Sequence, residues 1–132
     1  MKLQRDLLKG VQPYVPGEQP KPGERIVKLN TNENPYPPSP RAMKAITAIG
    51  DDGLRKYPDP VSTELRTVAA NLYGFAGPEW VIAGNGSDEL LAMIIRTFTD
   101  PGDTILSCYP TYILYETLAK LHGAKFSTID LD

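Results

Sequence analysis

From residue 61 onward, the hydrophobic positions change repeatedly between a spacing typical of helices and one typical of strands. Helices are predicted from Ser62 or Thr63 to Gly74, over residues 87–98, and up to Gly123, with strands at 80–83, 104–108 and 126–131. The positions predicted to be buried are Leu65, Val68, Ala69 and Leu72 in the first helix, Leu90, Leu91, Ile94, Ile95 and Phe98 in the second, and Leu114, Leu118 and Leu121 in the third. Alternating strands and helices predict an α/β fold with a parallel sheet and right-handed crossovers.

The first 60 residues follow a different pattern, because ten of the 13 prolines lie there. Proline removes a backbone donor and fixes φ, so this half cannot be mostly sheet or long helix. It is predicted to be an extended arm with one helix, which begins at Ser39-Pro40 and ends near Gly50. Such an arm has little to bury by itself, so we expect it to lie against a later domain or a second subunit.

The predicted sheet is too small to cover its own hydrophobic surface. Parallel sheets normally bury both faces, whereas three strands with helices on one side leave much of that surface open. From pattern alone the three strands are expected to pair directly with one another. The chain is therefore expected to be part of a larger protein.

Composition and charge exclude several classes of function. The chain has 132 residues, 41% of them hydrophobic, with 14 basic against 16 acidic residues and a net charge of -2. This balance provides no basic field for nucleic acid or a membrane surface. No hydrophobic run approaches the ~20 residues of a membrane span, and residues 1–6 are too polar to begin a signal peptide. We therefore expect a soluble, cytoplasmic protein.

The single cysteine excludes an internal disulfide and a multi-cysteine zinc site, and the single histidine argues against histidine-rich metal chemistry. Cys108 lies in a predicted strand and is expected to be a small buried hydrophobic residue. His122 precedes Gly123 at a helix end, where it is expected to interact with the terminal carbonyls. No metal is expected.

The turn between the predicted strand at 80–83 and the next helix contains the residue types of an anion-binding site. Gly84-Asn85-Gly86-Ser87 allows a sharp turn into a helix start, where unpaired amides and the helix dipole favour an anion such as phosphate. Glycine and serine are also common in such turns for purely structural reasons, and pattern alone leaves both interpretations open. A dinucleotide fingerprint requires glycine where Glu89 stands, and the Gly-Lys-Ser/Thr of a P-loop is absent.

Four sequence blocks, in this order and spacing, resemble the N-terminal third of the fold-type I pyridoxal-phosphate aminotransferases, and within them the histidinol-phosphate subgroup. The blocks are Lys28 to Pro35 with Pro38-Ser39-Pro40, Arg55-Lys56-Tyr57-Pro58-Asp59-Pro60, Gly84 to Leu90, and Tyr109-Pro110-Thr111-Tyr112. The resemblance implies the beginning of an aspartate aminotransferase-like large domain over 61–132, preceded over 1–60 by an arm and the start of a small domain.

The resemblance also implies roles for individual residues around a pyridoxal 5'-phosphate cofactor. Gly86, Ser87 and Asp88 would hold the cofactor phosphate through backbone amides and the Ser87 hydroxyl. Tyr112 would stack on the pyridine ring; alternatively, it is a core aromatic residue at a helix start.

Two further roles lie in the first 60 residues. In a homodimer, Tyr57 would reach the cofactor phosphate of the partner subunit; alternatively, it is a surface tyrosine in a proline-rich turn. Asn34 would lie beside the substrate, or it caps the turn before Pro35.

The resemblance places the remaining chemical groups downstream of residue 132. Transamination between an amino donor and a 2-oxo acid acceptor, here histidinol phosphate and 2-oxoglutarate, requires a Schiff-base lysine. None of the lysines present has the family's sequence context, so no catalytic residue is assigned and the 132-residue chain alone is expected to be inactive. The family topology also implies that the strand at 80–83 lies apart from the other two strands.

Two alternatives remain open at this point. One is a related pyridoxal-phosphate enzyme, such as a threonine-phosphate decarboxylase-like protein. The other is a non-catalytic phosphate-binding or dimerisation module that folds alone.

Overall fold

The structure is a computed structural model that describes residues 5–11, 20–21 and 23–132. Its helices and strands, in chain order, are α1 (Pro40–Thr47), α2 (Asp51–Leu54), α3 (Thr63–Tyr73), α4 (Gly86–Phe98), β1 (Thr104–Tyr109), α5 (Leu114–His122) and β2 (Lys125–Asp130). Short 3-10 turns lie at Asp6–Leu8 and Pro78–Trp80. One compact unit contains the described part of 1–12 and Val61–Asp132, and the other contains the described part of Pro13–Pro60.

The first helix begins where the sequence predicts. The Ser39 hydroxyl accepts a hydrogen bond from the Ala42 amide (3.1 Å), and Pro40 occupies the first turn, where its missing N–H costs nothing. The helix ends at Thr47 rather than near Gly50, because Gly50 instead precedes the short helix α2. The part of the predicted arm at residues 12–19 and at residue 22 lies outside the described residues.

Two of the three predicted glycine stops are confirmed, those at Gly74 and Gly123. Gly74 and Gly123 follow α3 and α5 with φ values of 71° and 84°, in the left-handed region that glycine adopts without strain. The predicted cap of α3 is different, because Ser62 itself adopts a left-handed conformation and its side chain makes no capping hydrogen bond.

The sheet has two parallel strands among the described residues. β1 and β2 run in register from Thr104 opposite Lys125 to Tyr109 opposite Asp130, joined by α5 as predicted. The predicted strand at 80–83 is wrong, since Pro78–Trp80 forms a 3-10 turn and residues 81–84 join no ladder in the structure. The direct pairing of three strands is therefore also wrong, and the separate position that the family topology implies for a strand at 80–83 stays a prediction.

The segment before α4 is held by a side chain rather than by a neighbouring strand. The Arg66 guanidinium on α3 donates hydrogen bonds to the carbonyls of Pro78 (3.1 and 2.7 Å), Val81 (2.7 Å) and Val61 (3.3 Å). A planar guanidinium with five donors is suited to bind several carbonyls at once. Arg66 thus fixes the entry of the chain into the turn before α4.

Replacing Arg66 with Met is expected to release this segment. Hydrogen bonds from a charged donor to partly buried carbonyls contribute about 2 kcal/mol to local stability, which corresponds to roughly 30-fold faster amide exchange. The measurement is hydrogen exchange at the amides of Trp80 and Val81, which bond to Gly77 and Pro78 carbonyls. Arg96→Met, at an exposed position of α4, is the control and leaves these amides unchanged. Equal exchange in both variants would remove this role from Arg66.

Very little hydrophobic surface is buried in the part of the chain that the structure describes. Only Ala70, Ile95 and Ala119 form its buried hydrophobic core. The buried faces predicted for α3 and α4 are largely wrong: Leu65, Val68, Leu72, Ile94 and Phe98 are exposed, whereas Leu90 and Leu91 are half-buried. In α5, Leu114 and Leu118 are half-buried, and Leu121 is exposed. Helical spacing identifies these faces, but the described elements cover them only in part, chiefly where α4 packs against α5.

The predictions for the cysteine and the histidine are corrected. Cys108 is exposed rather than buried, since one face of β1 lacks a covering layer. The His122 ring bonds to the carbonyl of Thr99, at the end of α4, and not to the last carbonyls of its own helix. Within the described ranges, no helix is long and apolar enough to cross a membrane, and no cluster of possible metal ligands occurs.

Candidate functional site

The turn before α4 has a geometry that only glycine adopts easily at one position. Gly86 has φ 83°, and its amide donates to the Gly84 carbonyl (2.9 Å). The Asn85 amide donates to the side-chain carboxylate of Glu89, one turn into the helix. Two of the amides of this turn are therefore used internally.

The amides of the next two residues, Ser87 and Asp88, remain available to bind a ligand. Ser87 and Asp88 are the second and third residues of a 13-residue helix, and neither amide has an acceptor among the residues that the structure describes. Unpaired N–H groups at the positive end of a helix dipole form a site for an anion. The Ser87 hydroxyl lies beside them, 3.4 Å from Asp88 Oδ1. Of the three predicted phosphate-loop residues, Gly86 thus supplies conformation, whereas Ser87 and Asp88 supply donors.

Tyr112 lies at the same turn although it is 24 residues away in the chain. Its hydroxyl donates to Asp88 Oδ1 (3.3 Å), and its ring meets Tyr115 edge-on at 5.9 Å. Tyr112 follows the carboxyl end of β1, the edge of a parallel sheet at which α/β proteins bind ligands. The structure therefore brings together four of the six predicted site residues.

A concave surface of about 500 Å³ adjoins Tyr112. Its lining residues are Tyr109, Thr111, Tyr112, Ile113, Glu116, Phe126 and Thr128. Pyridine-sized ligands favour apolar surfaces with a few polar groups, as here.

The other two predicted residues belong to the second compact unit. Tyr57 is fully exposed. Asn34 is also exposed, and its Oδ1 accepts the Tyr36 amide (3.0 Å), which is the turn-capping contact expected of an asparagine before proline. The structure gives Asn34 a local role in the turn, and the described residues bring no ligand-binding group to it.

An ion pair between Lys28 and Glu33 lies just before the turn at Asn34. Lys28 donates to Glu33, and this hydrogen bond and the positive charge of Lys28 hold the pKa of the Glu33 carboxyl below its ordinary value. A lowered pKa means that the pair stabilises the segment above the ordinary glutamate pKa, and that this stabilisation is lost as the pH falls through the lowered pKa.

Replacing Lys28 with Met is therefore expected to raise the pKa of Glu33 toward that of an ordinary glutamate, since Lys28 is the main cause of its lowering. Carboxyl chemical shifts followed by NMR during an acid titration measure this change. Lys44→Met, on α1, is the matched control and leaves the Glu33 titration in place. A Glu33 curve that does not move in Lys28→Met would contradict the assignment of the cause.

Two residues of this region, Glu89 and Arg66, are missing from the sequence prediction. The capping-box spacing that signals a carboxylate at a helix start requires it at the third helical residue, which is Asp88. Glu89 stands one position later and makes that contact instead. Arg66 bonds to carbonyls 12 and 15 residues away, for which no local pattern exists.

Comparison with known proteins gives consistent results. Residues 24–132 match the family described as aminotransferase class I and II. The chain is 50% identical over 125 residues to a histidinol-phosphate aminotransferase of Rhodopirellula baltica, and 53% identical over 118 residues to that of Geotalea daltonii. These matches cover 95% and 89% of this chain, and 34% of each relative. The chain therefore spans about a third of the length of these relatives.

A solved structure is similar as well. The histidinol-phosphate aminotransferase of Sinorhizobium meliloti, determined in complex with pyridoxal-5'-phosphate, superimposes with a TM-score of 0.70 and 26% identity. The superposition covers 77% of this chain and 27% of that structure.

Proposed function

The chain belongs to the aminotransferase class I and II family, and from this premise we propose that it is the N-terminal portion of a histidinol-phosphate aminotransferase. Its fold is the corresponding part of an aspartate aminotransferase-like, fold-type I enzyme. The whole protein would transfer an amino group from histidinol phosphate to a 2-oxo acid, 2-oxoglutarate, in histidine biosynthesis. Histidinol-phosphate aminotransferases at about half identity support this choice over the decarboxylase-like alternative.

The proposed cofactor is pyridoxal 5'-phosphate, and the residues at the turn fit its phosphate. The single observation that carries this is the pair of acceptor-free amides at Ser87 and Asp88, beside a serine hydroxyl and a tyrosine held by Asp88. When bound, the cofactor serves as an electron sink for the substrate amino group. Ser87 and Asp88 would bind its phosphate, and Tyr112 would position its ring.

The proposal includes the domain division and a homodimer in the cytoplasm. Residues 1–60 would form the arm and the start of the small domain, and 61–132 the beginning of the large domain. The full exposure of Tyr57 supports its proposed contact with the partner subunit's cofactor phosphate. Asn34 would lie beside the substrate while its Oδ1 accepts the hydrogen bond from the Tyr36 amide.

A direct test uses two ligands that differ only in phosphate. Pyridoxine 5'-phosphate lacks the aldehyde, so it cannot react with exposed lysines, and unphosphorylated pyridoxine is its control. We expect calorimetry to detect binding of the first and not of the second. The protein is the 132-residue chain joined to the region of the Geotalea daltonii relative that follows the matched third, here called the joined chain. Equal binding of both ligands would contradict the phosphate site.

The same joined chain tests the reaction. It is expected to transaminate histidinol phosphate, whereas the 132-residue chain alone does not. Because the joined chain takes its Schiff-base lysine from the relative, this activity tests whether the 132 residues complete a histidinol-phosphate site. A joined chain that folds and binds pyridoxine 5'-phosphate but does not transaminate histidinol phosphate would contradict the proposed substrate.

Replacing Gly86 with Ala is expected to weaken pyridoxine 5'-phosphate binding about tenfold. An alanine at φ 83° costs about 1 kcal/mol in backbone strain, and no atom within 4 Å would block its Cβ. Gly102→Ala is the matched control, since Gly102 has φ 97° and equally open surroundings but lies in another turn. Both variants should lose similar stability in thermal unfolding of the joined chain. If both lost affinity equally, the effect of Gly86 would not be local.

A further inference from the structure

Glu89 contacts the phosphate-binding turn without being one of its proposed ligands. Its carboxylate accepts the Asn85 amide, which closes the turn from the helix side. The carboxylate also lies over Gly84, where an added Cβ would meet Glu89 Oε2 at 2.9 Å. A negative charge so close to an anion site opposes anion binding, so its presence requires a compensating role.

The hydrogen bond of Glu89 determines which amides remain available. With the Asn85 amide bound to Glu89 and the Gly86 amide bound to Gly84, the donors left at the turn are those of Ser87 and Asp88. Asn85 has φ -80° and ψ 70°, outside the regular regions, and its own side chain makes no capping hydrogen bond. The turn therefore depends on an acceptor from elsewhere.

We propose that Glu89 is a positioning residue of the cofactor-phosphate site: its carboxylate holds the Asn85 amide and so orients the Ser87 and Asp88 amides toward the ligand. Glu89 itself contacts no ligand in this proposal. Its function toward a phosphate rests on the proposed function, whereas its effect on the turn does not.

Two substitutions separate the hydrogen bond of Glu89 from its charge. Glu89→Gln keeps an oxygen that can accept the Asn85 amide and removes the charge. Glu89→Ala removes both. A comparison of the two holds the charge constant, so any difference between them reports on the hydrogen bond.

The affinity of the joined chain for pyridoxine 5'-phosphate is the first measurement. We expect Glu89→Gln to bind at least as tightly as the parent, and Glu89→Ala to bind about tenfold more weakly than Glu89→Gln. Equal affinities of the Gln and Ala variants would overturn the proposal.

Hydrogen exchange at the Asn85 amide, without ligand, is the second measurement. This amide is expected to be protected in the parent and in Glu89→Gln, and to exchange about tenfold faster in Glu89→Ala. An unchanged rate in Glu89→Ala would overturn the positioning role even if phosphate affinity fell. If no variant binds pyridoxine 5'-phosphate, the proposed function fails, while the exchange result still decides whether Glu89 holds the turn.

Discussion

The 132-residue chain on its own is expected to lose its structure gradually on heating, without a sharp transition, and to bind the hydrophobic dye ANS. The joined chain is expected to unfold in one sharp transition and to bind little dye. Far-ultraviolet circular dichroism against temperature and ANS fluorescence measure both properties.

The physical reason is the balance of buried and exposed hydrophobic surface. Three small or medium hydrophobic side chains are buried in the described part of the chain, whereas 27 large ones are exposed. Burial of apolar surface is the main favourable contribution to folding, and it must exceed a conformational entropy cost of similar size. Helices with few packed side chains then persist as a compact but loosely packed state.

The joined chain supplies the missing surface because its relatives are about three times as long as the match. The exposed residues Leu106 and Ile129 of the sheet and Phe98 of α4 are candidates to become covered. A sharp transition and a single monodisperse species for the 132-residue chain would contradict this expectation. That result would favour the alternative of a module that folds alone.

Replacing Ser87 with Asp is expected to weaken pyridoxine 5'-phosphate binding strongly while slightly stabilising the helix. A carboxylate in the first turn of α4 interacts favourably with the helix dipole, by about 0.5 kcal/mol. The same carboxylate repels a phosphate dianion at the amides of Ser87 and Asp88, so we expect affinity to fall about a hundredfold. Stability and binding thus change in opposite directions, which general unfolding cannot produce.

Thr63→Asp provides the control for this experiment. Thr63 is the first residue of α3, so the substitution adds the same charge to another helix N-terminus. Calorimetric affinity for pyridoxine 5'-phosphate and thermal unfolding of the joined chain are compared between the two variants. Similar losses of affinity in both would indicate an effect of net charge rather than of the turn before α4.

Local signals predicted the elements of this chain well. Ser39-Pro40, Gly74 and Gly123 mark helix ends because a cap, a fixed φ and a left-handed glycine act within a few residues. The turn at Gly84 to Ser87 was located in the same way. The predictions that failed depend on which distant residues contact an element. The segment at 81–83 has strand-like composition, but it pairs with no strand and is held by the side chain of Arg66.

The candidate site was predicted in part. Gly86, Ser87 and Asp88 could be identified because they are adjacent in sequence and their chemistry is that of a helix start. The role of Tyr112 came only from the resemblance to a family, since no pattern within one chain connects it with Asp88. The contact between Glu89 and Asn85 depends on a side-chain rotamer, which sequence spacing does not specify.

Local sequence signals specify where α1 begins, where α3 and α5 end, and which turn carries glycines and a serine. These properties depend on interactions within about one helical turn. The tertiary structure alone decided that β1 pairs with β2, that Tyr112 meets Asp88, and that predicted inner faces such as Leu72 are open. Contacts between distant residues depend on how whole elements pack, and packing depends on every surface available to cover them.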